Sequence, residues 1–292
     1  MANWRSFVEA GPPSESHLGR ERDDKEKHWR ALEFAVQMSC ESCANAIRNT
    51  LKGVNGIHSV DINVSTEQVL IDTTLTSGEV QALIESTGRR AVLKGMGPTT
   101  LEDLGAAVAM LGPEGDIKGA VRFLQLSEKQ CVIEGTIDGL RPGLHGLHVH
   151  EFGDLSSSCF SCGNHYNPGK NRHGGPQDVD RHVGDLGNIQ ANEDGRANFR
   201  IQDDRLKVWD IIGRSVVVDS NEDDLGKGAH PLSQITGNSG DRLACGIIAR
   251  SAGLFQNPKK ICSCDGVTLW EERDRPIAGT GRNLKEPPVA NL

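Results

Sequence analysis

The sequence predicts a multidomain protein: an α+β domain of βαββαβ order, then an all-β Greek-key barrel or sandwich, then a flexible C-terminal tail. Apolar residues alternate with helix and strand periods up to about residue 96 and with strand periods alone beyond it, and the pattern stops after Ser251. The 292 residues suffice for two domains of ordinary size. We therefore expect a flexible N-terminal tail over 1–29, domains over 30–96 and 97–251, and the C-terminal tail over 252–292.

The first domain is predicted from its alternating elements. Residues 32–38 alternate as in a half-buried strand, and a helix then presents Ala44, Ile47 and Leu51 on one face. Two strands, a second helix and a short last strand follow. This order is the ferredoxin-like arrangement. Residues 94–98 are expected to be a linker.

The second domain is predicted to contain about eight strands, because apolar alternation recurs between Gly-rich and Pro-rich turns. A hairpin signal, Asn192-Glu193-Asp194-Gly195, lies between two of them. This spacing favours an antiparallel Greek-key barrel or sandwich. The expected strands are 106–111, 117–126, 131–137, 147–152, 186–191, 196–201, 212–218 and 243–250.

Cys40 and Cys43 form an MxCxxC motif with Met38 in the first loop of the first domain. The motif resembles the heavy-metal-associated domains of copper chaperones and copper-pumping ATPases. Cu(I) is soft and prefers two thiolates at low coordination number, and a helix start lowers the thiol pKa of Cys43. A redox pair would be expected to have aromatic and proline neighbours, and a zinc half-site would need a second cysteine pair in this domain; neither is present.

Six of the ten histidines lie between residues 145 and 185. His148 and His150 point to one face of a predicted strand, because strand side chains alternate. A loop too rich in Gly, Pro and Asn for a helix follows. Any one of these histidines is explained as a loop or core residue, but so dense a cluster favours metal binding. The loop offers three imidazoles and a carboxylate, a complete tetrahedral zinc set: His165, His173, His182 and Asp185.

The motifs around these residues resemble the copper/zinc superoxide dismutases over about residues 103–251. They are HVHEFGD, HGGP, RHVGDLGN, DDLGKG and GNSGDRLACG. The resemblance implies that His148, His150 and His165 bind copper and that His165 bridges to the zinc. It also places Asp223 behind the zinc ligands.

One position departs from the dismutase pattern. The family has a copper-binding histidine after two valines, and here Asp219 follows Val217 and Val218. A carboxylate is a hard ligand that serves Cu(I) poorly, so a copper centre that cycles between oxidation states is not expected. The second domain is therefore predicted to keep zinc and to act as a scaffold, with His148 and His150 as a remnant copper site.

The cysteines of the second domain have different expected roles. Cys159 and Cys245 match the dismutase pair that forms an intrasubunit disulfide, so the resemblance implies that bond here. Cys131 is expected to be a small buried residue in a strand. No role is assigned to Cys162. Arg242 matches the arginine that steers superoxide, and a structural role accounts for it equally well.

The C-terminal tail contains the CxC motif of Cys262 and Cys264. Two thiols one residue apart suit thiol exchange or transient Cu(I) binding better than structural support. An exposed free cysteine without a role is a liability, which argues against two unrelated tail cysteines.

Charge and hydropathy exclude other classes. The net charge of −8 is interspersed, which argues against a nucleic-acid-binding surface. No window of 18 apolar residues exists, so no membrane span is expected. The N-terminal residues have the features of neither a secretory signal nor a transit peptide. Eight cysteines without such a signal favour the cytoplasm, with the mitochondrial intermembrane space as a second candidate.

In this order the MxCxxC domain, the dismutase-like domain and the CxC tail resemble the copper chaperones for superoxide dismutase. The resemblance implies a metallochaperone, not an enzyme apart from a sulfhydryl-oxidation step, that carries Cu(I) and keeps Zn(2+). It would dock on apo-dismutase as a heterodimer, or on itself as a homodimer, and promote the client's disulfide. The rival hypotheses are an active dismutase with a fused metal-loading domain and a general thiol oxidoreductase.

Overall fold

The computed structural model describes residues 29–99, 104–112 and 116–254. The N-terminal tail and the CxC tail with Cys262 and Cys264 lie outside the described residues. The first domain has the predicted βαββαβ order and a four-stranded sheet of order β2-β3-β1-β4. Its elements are β1 (Arg30–Val36), α1 (Glu41–Leu51), β2 (Ile57–Asn63), β3 (Gln68–Thr73), α2 (Ser77–Glu85) and β4 (Ala91–Pro98).

The core of the first domain lies between this sheet and the two helices. Leu32 and Phe34 of β1 pack with Ile47 and Leu51 of α1, and all four side chains are fully or almost fully buried. Helix α2 begins with a capping box in which the Thr76 side chain and the third helical residue satisfy each other's backbone N–H groups. The predicted apolar face of α1 is confirmed.

Strand β4 is longer than predicted, because residues 94–98 belong to it and do not form a linker. Their ladder with β1 runs as far as Pro98 opposite Arg30, through a bulge. Glycines carry no side chain that could alternate, so the sequence pattern hid this half of the strand. A Cβ on Gly95 would lie 2.3 Å from the carbonyl oxygen of Gly253, so the close passage of the chain leaving the barrel requires glycine there.

The second domain is a closed eight-stranded barrel of order β10-β11-β7-β6-β5-β13-β12-β8, and all its strand pairs are antiparallel. Its interior is filled by apolar side chains such as Val121, Phe123 and Ile133. The strands are β5 (Ala106–Leu111), β6 (Lys118–Ser127), β7 (Gln130–Asp138), β8 (Gly143–His150), β9 (Ser156–Cys159), β10 (Asp185–Ala191), β11 (Ala197–Asp203), β12 (Ser215–Asp219) and β13 (Arg242–Ser251).

Four short elements of this domain escaped prediction. Strand β9 stands outside the barrel. A 3-10 helix and two four-residue helices are too short to show a 3.6-residue period. They are the 3-10 helix (Phe160–Cys162), α3 (Val208–Ile211) and α4 (Ser233–Thr236). Strand β12 begins at Ser215, not at residue 212, because Ile212 and Gly213 turn the chain after α3.

The two domains contact each other through a buried ion pair. The Arg30 guanidinium of β1 donates to Glu134 of β7, and both side chains are almost fully buried. The backbone N–H of Ser77 also donates to Glu134, at 3.2 Å. Arg122 and Arg200 flank Glu134 on the neighbouring strands. The barrel surface thus provides a charged seat for the start of α2.

Within the described part of the chain, no helix has the length and apolar character needed to cross a membrane.

Candidate metal and thiol sites

The first site is the loop between β1 and α1, where the sulfurs of Cys40 and Cys43 lie 3.6 Å apart. Cys40 is exposed and occupies the N-cap position of α1, but its side chain makes no capping bond. The backbone N–H of Cys43 donates to the Cys40 carbonyl at 3.0 Å, which closes the turn. Both thiols are therefore held side by side at the surface.

Several donors favour the thiolate form of this pair. A backbone hydrogen bond at Ser39, then the guanidinium of Arg89, then Cys40 lower the pKa of Cys43 to about 6. The Ser42 hydroxyl, 2.9 Å from the Cys40 sulfur, is the main cause of the lowered pKa of Cys40. Thiolate is the form that binds soft metal ions. The effect of Arg89 on Cys43 was not predicted from the sequence, where Arg89 is visible only as part of the basic pair before β4.

The second site lies beside the barrel, where three imidazoles converge on one carboxylate oxygen. The Nδ1 atoms of His165, His173 and His182 lie 2.8, 3.1 and 3.1 Å from Oδ1 of Asp185. Asp185 begins β10, and the histidines come from the long loop before it. All four predicted zinc residues are therefore brought together. Whether they hold zinc stays a prediction.

His148 is an additional member of this cluster. The donor atoms that lie within 4.8 Å of one another come from His148, His165, His173 and Asp185. The Nδ1 of His182 lies 3.5 Å from that of His165, at the edge of the group. The buried Nδ1 of His173 faces Oδ1 of Asp185 at 3.1 Å, and a cation held between these residues would be ligated by both. The three imidazoles and one carboxylate of the predicted set form an N₃O donor set that fits zinc: His165, His173, His182 and Asp185.

The electrostatics of the metal-free cluster follow from its ion pairs. Burial would raise the pKa of Asp185, but hydrogen bonds to His165, His173 and His182 lower it strongly. Burial also lowers the pKa of His165 to about 4, helped by the positive charge of His148. A neutral imidazole and an ionised carboxylate are the states that ligate a divalent metal.

Asp219 stands where the dismutase pattern has a copper-binding imidazole, and it contacts His148. The Nδ1 of His148 lies 2.9 Å from Oδ2 of Asp219, and its Nε2 lies 2.9 Å from Oδ2 of Asp223. Burial would lower the pKa of His148, but these two aspartates outweigh it and raise the pKa to about 10. Both ring nitrogens of His148 therefore face carboxylates in this metal-free structure. Asp223 reaches His148 as well as His173, a connection that the sequence does not reveal.

His150 is the part of the expected copper site that retains an open ring nitrogen. Its Nδ1 lies 3.0 Å from the carbonyl oxygen of Gly163, while its Nε2 is buried without a hydrogen-bond partner in the described structure. Burial, and then the charge of His165, lower its pKa well below the usual value. His150 is neutral, but its expected co-ligand His148 is occupied. The dismutase pattern is therefore one imidazole short at Asp219, and copper binding by His148 and His150 stays a prediction.

The remaining predicted residues are Arg242 and the cysteines of the second domain. Cys159 and Cys245 form a disulfide with a Cα–Cα distance of 5.6 Å. Arg242 donates to the carbonyls of Cys159 and Gly163, both at 2.7 Å, which favours the structural alternative for this arginine. Cys131 is fully buried, and burial raises the pKa of its thiol. Cys162 is also fully buried and lies beside the disulfide.

Two family models match the chain. The heavy-metal-associated domain matches residues 33–90, and copper/zinc superoxide dismutase matches residues 117–248. The chain is 68% identical over 262 residues to the copper chaperone for superoxide dismutase of Mus musculus, which covers 90% of this chain and 96% of the relative. The corresponding Homo sapiens protein is 66% identical over 261 residues, covering 89% of this chain and 95% of the relative.

A plant relative extends the comparison. The copper chaperone for superoxide dismutase, chloroplastic/cytosolic, of Arabidopsis thaliana is 38% identical over 275 residues, covering 91% of this chain and 78% of the relative. Similarity of this extent includes both domains and the order in which they occur. The chain belongs to the family of copper chaperones for superoxide dismutase.

Proposed function

We propose that the protein delivers Cu(I) to apo copper/zinc superoxide dismutase. The observation that carries this proposal is the pair of ion-paired contacts by which Asp219 and Asp223 hold His148. A barrel with the dismutase pattern then lacks a working copper centre, while the first domain presents an exposed thiolate pair. Copper is the cargo of such a protein, not its own catalyst.

Cu(I) loading takes place on Cys40 and Cys43. The two sulfurs are close enough to bind one ion together, and their lowered pKa values reduce the work of deprotonation. Two-coordinate Cu(I) leaves room for an incoming thiolate. Copper therefore leaves by ligand exchange, without release of the free ion.

Zinc is the resident metal of the second domain. His165, His173, His182 and Asp185 would hold Zn(2+), which supplies a structural crosslink within the loop before β10. The protein's own part is to orient these imidazoles. Asp223 does so by accepting a hydrogen bond from Nε2 of His173 at 2.8 Å.

The barrel docks on an apo-dismutase subunit as a heterodimer, or on a second copy as a homodimer. Phe152 is 55% exposed and Ile247 is 43% exposed. Ser215 links the two positions, because it lies opposite Ile247 in the β12–β13 ladder and its hydroxyl donates to the Phe152 carbonyl. These apolar side chains form one patch on the barrel surface. Such a patch supports docking between two barrels of the same shape.

The CxC tail completes delivery. Cys262 and Cys264 enter as a disulfide, a reduced client cysteine attacks one sulfur, and a second client thiolate resolves the mixed disulfide. The client gains its disulfide and the tail leaves as a dithiol. We place this chemistry in the cytoplasm and in the mitochondrial intermembrane space. On this account the protein is a metallochaperone whose only catalytic step is sulfhydryl oxidation.

One mixing experiment tests delivery. The Cu(I)-loaded protein is added to reduced, zinc-loaded apo-dismutase in a buffer that contains a Cu(I) chelator, and superoxide removal is measured. We expect activation at equimolar protein and none with chelated copper alone. Equal activation by copper that the chelator holds would contradict the proposal.

A second experiment separates the tail from the copper domain. The double variant Cys262→Ser/Cys264→Ser should load Cu(I) on the first domain and dock normally, yet fail to oxidise and activate the client. The client's disulfide state is read on a non-reducing gel beside its activity. Full oxidation by this variant would remove the tail from the mechanism, and activity of the copper-loaded protein itself would favour the rival dismutase hypothesis.

A further inference from the structure

Cys159, Cys162 and Cys245 form a buried cluster of three sulfurs together with Val217. Two of the cysteines are joined in the disulfide, and Cys162 remains a free thiol. Copper delivery as proposed above makes no use of Cys162. A buried thiol beside a disulfide is a potential attacking group, so its placement decides what it can do.

The 3-10 helix places Cys162 beside Cys159. Cys159 is the residue before this helix, with φ −76° and ψ −6°, and Cys162 is its last residue. Side chains three residues apart in a 3-10 helix eclipse each other. Cys159 and Cys162 therefore lie on the same face of one turn, and Cys159 is the disulfide sulfur that Cys162 can approach.

Weak contacts hold the Cys162 thiol in place. Its hydrogen bond is to the carbonyl oxygen of Asp154 at 3.5 Å, and a thiol is a weak donor. Of the two residues between Cys159 and Cys162, Phe160 is 81% exposed. A rotation of the Cys162 side chain therefore breaks no strong contact.

The loop is anchored independently of the disulfide. Arg242 donates to the carbonyls of Cys159 and Gly163, and Phe152 donates its N–H to the carbonyl of Cys162 at 2.9 Å. All of these contacts are made to backbone carbonyls of the loop, so they remain when a side-chain sulfur changes partner. The turn that carries both cysteines is thus kept in place during an exchange of sulfurs.

We propose that Cys162 is an exchange thiol that isomerises the barrel disulfide. Its thiolate attacks the sulfur of Cys159, the bond between Cys159 and Cys162 forms, and the bond between Cys159 and Cys245 breaks. Cys245 leaves as a thiolate and takes up the proton that Cys162 gave up. One disulfide and one thiol are present before and after the exchange, so no oxidant or reductant is consumed.

This exchange changes what the disulfide connects. In the form described, it ties the loop to β13. In the isomer it closes one turn of the loop on itself and leaves a reduced Cys245 on the barrel. The loop that carries Cys159 would then lose its crosslink to β13 while the oxidising equivalent is preserved. The inference goes beyond copper delivery and does not depend on it.

Disulfide mapping of the full chain tests the exchange. The oxidised protein is equilibrated in a glutathione redox buffer without denaturant, quenched with acid, alkylated and digested. We expect two species: the Cys159–Cys245 crosslink and a single peptide that contains the Cys159–Cys162 bond beside an alkylated Cys245. The variant Cys162→Ser should give the first species alone. Cys131→Ser, which removes a buried free thiol elsewhere in the barrel, should give both.

A second variant keeps the test decisive. In Cys245→Ser the same buffer should oxidise Cys159 and Cys162 to a bond with each other. The proposal is overturned if wild-type protein shows only the Cys159–Cys245 crosslink, whatever the folding state of the variant. It is equally overturned if a folded Cys245→Ser protein leaves Cys159 and Cys162 alkylatable under conditions that oxidise the wild-type pair.

Discussion

Replacing Asp219 separates its structural part from its part in suppressing a copper site. Its Oδ2 accepts hydrogen bonds from His148 Nδ1 at 2.9 Å and from the Ser239 hydroxyl at 2.8 Å, and all three residues are buried. A hydrogen bond to a charged group contributes about 1.5–3 kcal/mol, so Asp219→Ala should lower the free energy of unfolding by about 3–6 kcal/mol. The melting temperature of a domain of this size should then fall by roughly 10 °C.

The assay is calorimetry on the metal-free full chain, with Ser239→Ala as the matched control. That control loses one of the two bonds and should show about half the effect. The folded-state pKa of His148 is raised to about 10 from 6.5, so the contribution of its ion pairs is fully present below pH 6.5 and is lost as pH rises through 10. The effect of Asp219→Ala should therefore shrink at alkaline pH. An unchanged melting temperature at pH 7 would refute the reasoning.

The variant Asp219→His tests the catalytic consequence of the same contact. It removes one carboxylate from His148 and supplies the imidazole that the dismutase pattern has at this position. We expect copper binding at the barrel and superoxide removal to rise well above the unmutated protein. Substantial dismutase activity in the copper-loaded, unmutated protein would contradict the idea that Asp219 dismantles the site.

Three further predictions concern the first domain and its seat on the barrel. In a chain that lacks the tail cysteines, Cys40→Ser/Cys43→Ser should abolish tight Cu(I) binding measured by chelator competition; retained binding would mean that the site is elsewhere. Iodoacetamide should alkylate metal-free Cys43 with a midpoint near pH 6, because the lowered pKa keeps the thiolate populated above it, and Arg89→Gln should move the midpoint upward; an unmoved midpoint would exclude Arg89 as a cause. Glu134→Gln leaves Arg30 buried without its partner and should cost about 3–5 kcal/mol, whereas the exposed partner of Arg196 should tolerate Asp138→Asn at less than about 1 kcal/mol; equal losses by chemical denaturation would contradict the buried-pair argument.

The fold was predictable wherever apolar residues alternate with a clear period. The alternation of Leu32 and Phe34 predicts β1, and the turn residues between apolar runs predict the strands of the barrel. Residues 94–98 were assigned to a linker because Gly95 and Gly97 have no side chain that could show a period. The backbone ladder to β1 that forms them into a strand leaves no trace in a single sequence.

The residues of the candidate sites were largely predictable from the sequence, but the hydrogen bonds between them were not. The density of histidines in one loop grouped them around Asp185, because closely spaced ligand residues favour a metal site. Sequence could not show that one side chain, Asp223, reaches both His148 and His173. The ion pair between Arg30 and Glu134 could not be predicted either, because these residues are 104 positions apart and meet only in the fold.

The most direct test of copper delivery labels the cargo. The first domain is loaded with isotopically pure ⁶⁵Cu(I) and mixed with reduced, zinc-loaded apo-dismutase in a buffer whose chelator holds an excess of ⁶³Cu(I). The client is then isolated and the isotope ratio of its copper is measured by mass spectrometry. The account predicts client copper that is predominantly ⁶⁵Cu, and a loss of this enrichment with Cys40→Ser/Cys43→Ser. A client that carries the isotope ratio of the buffer would contradict it.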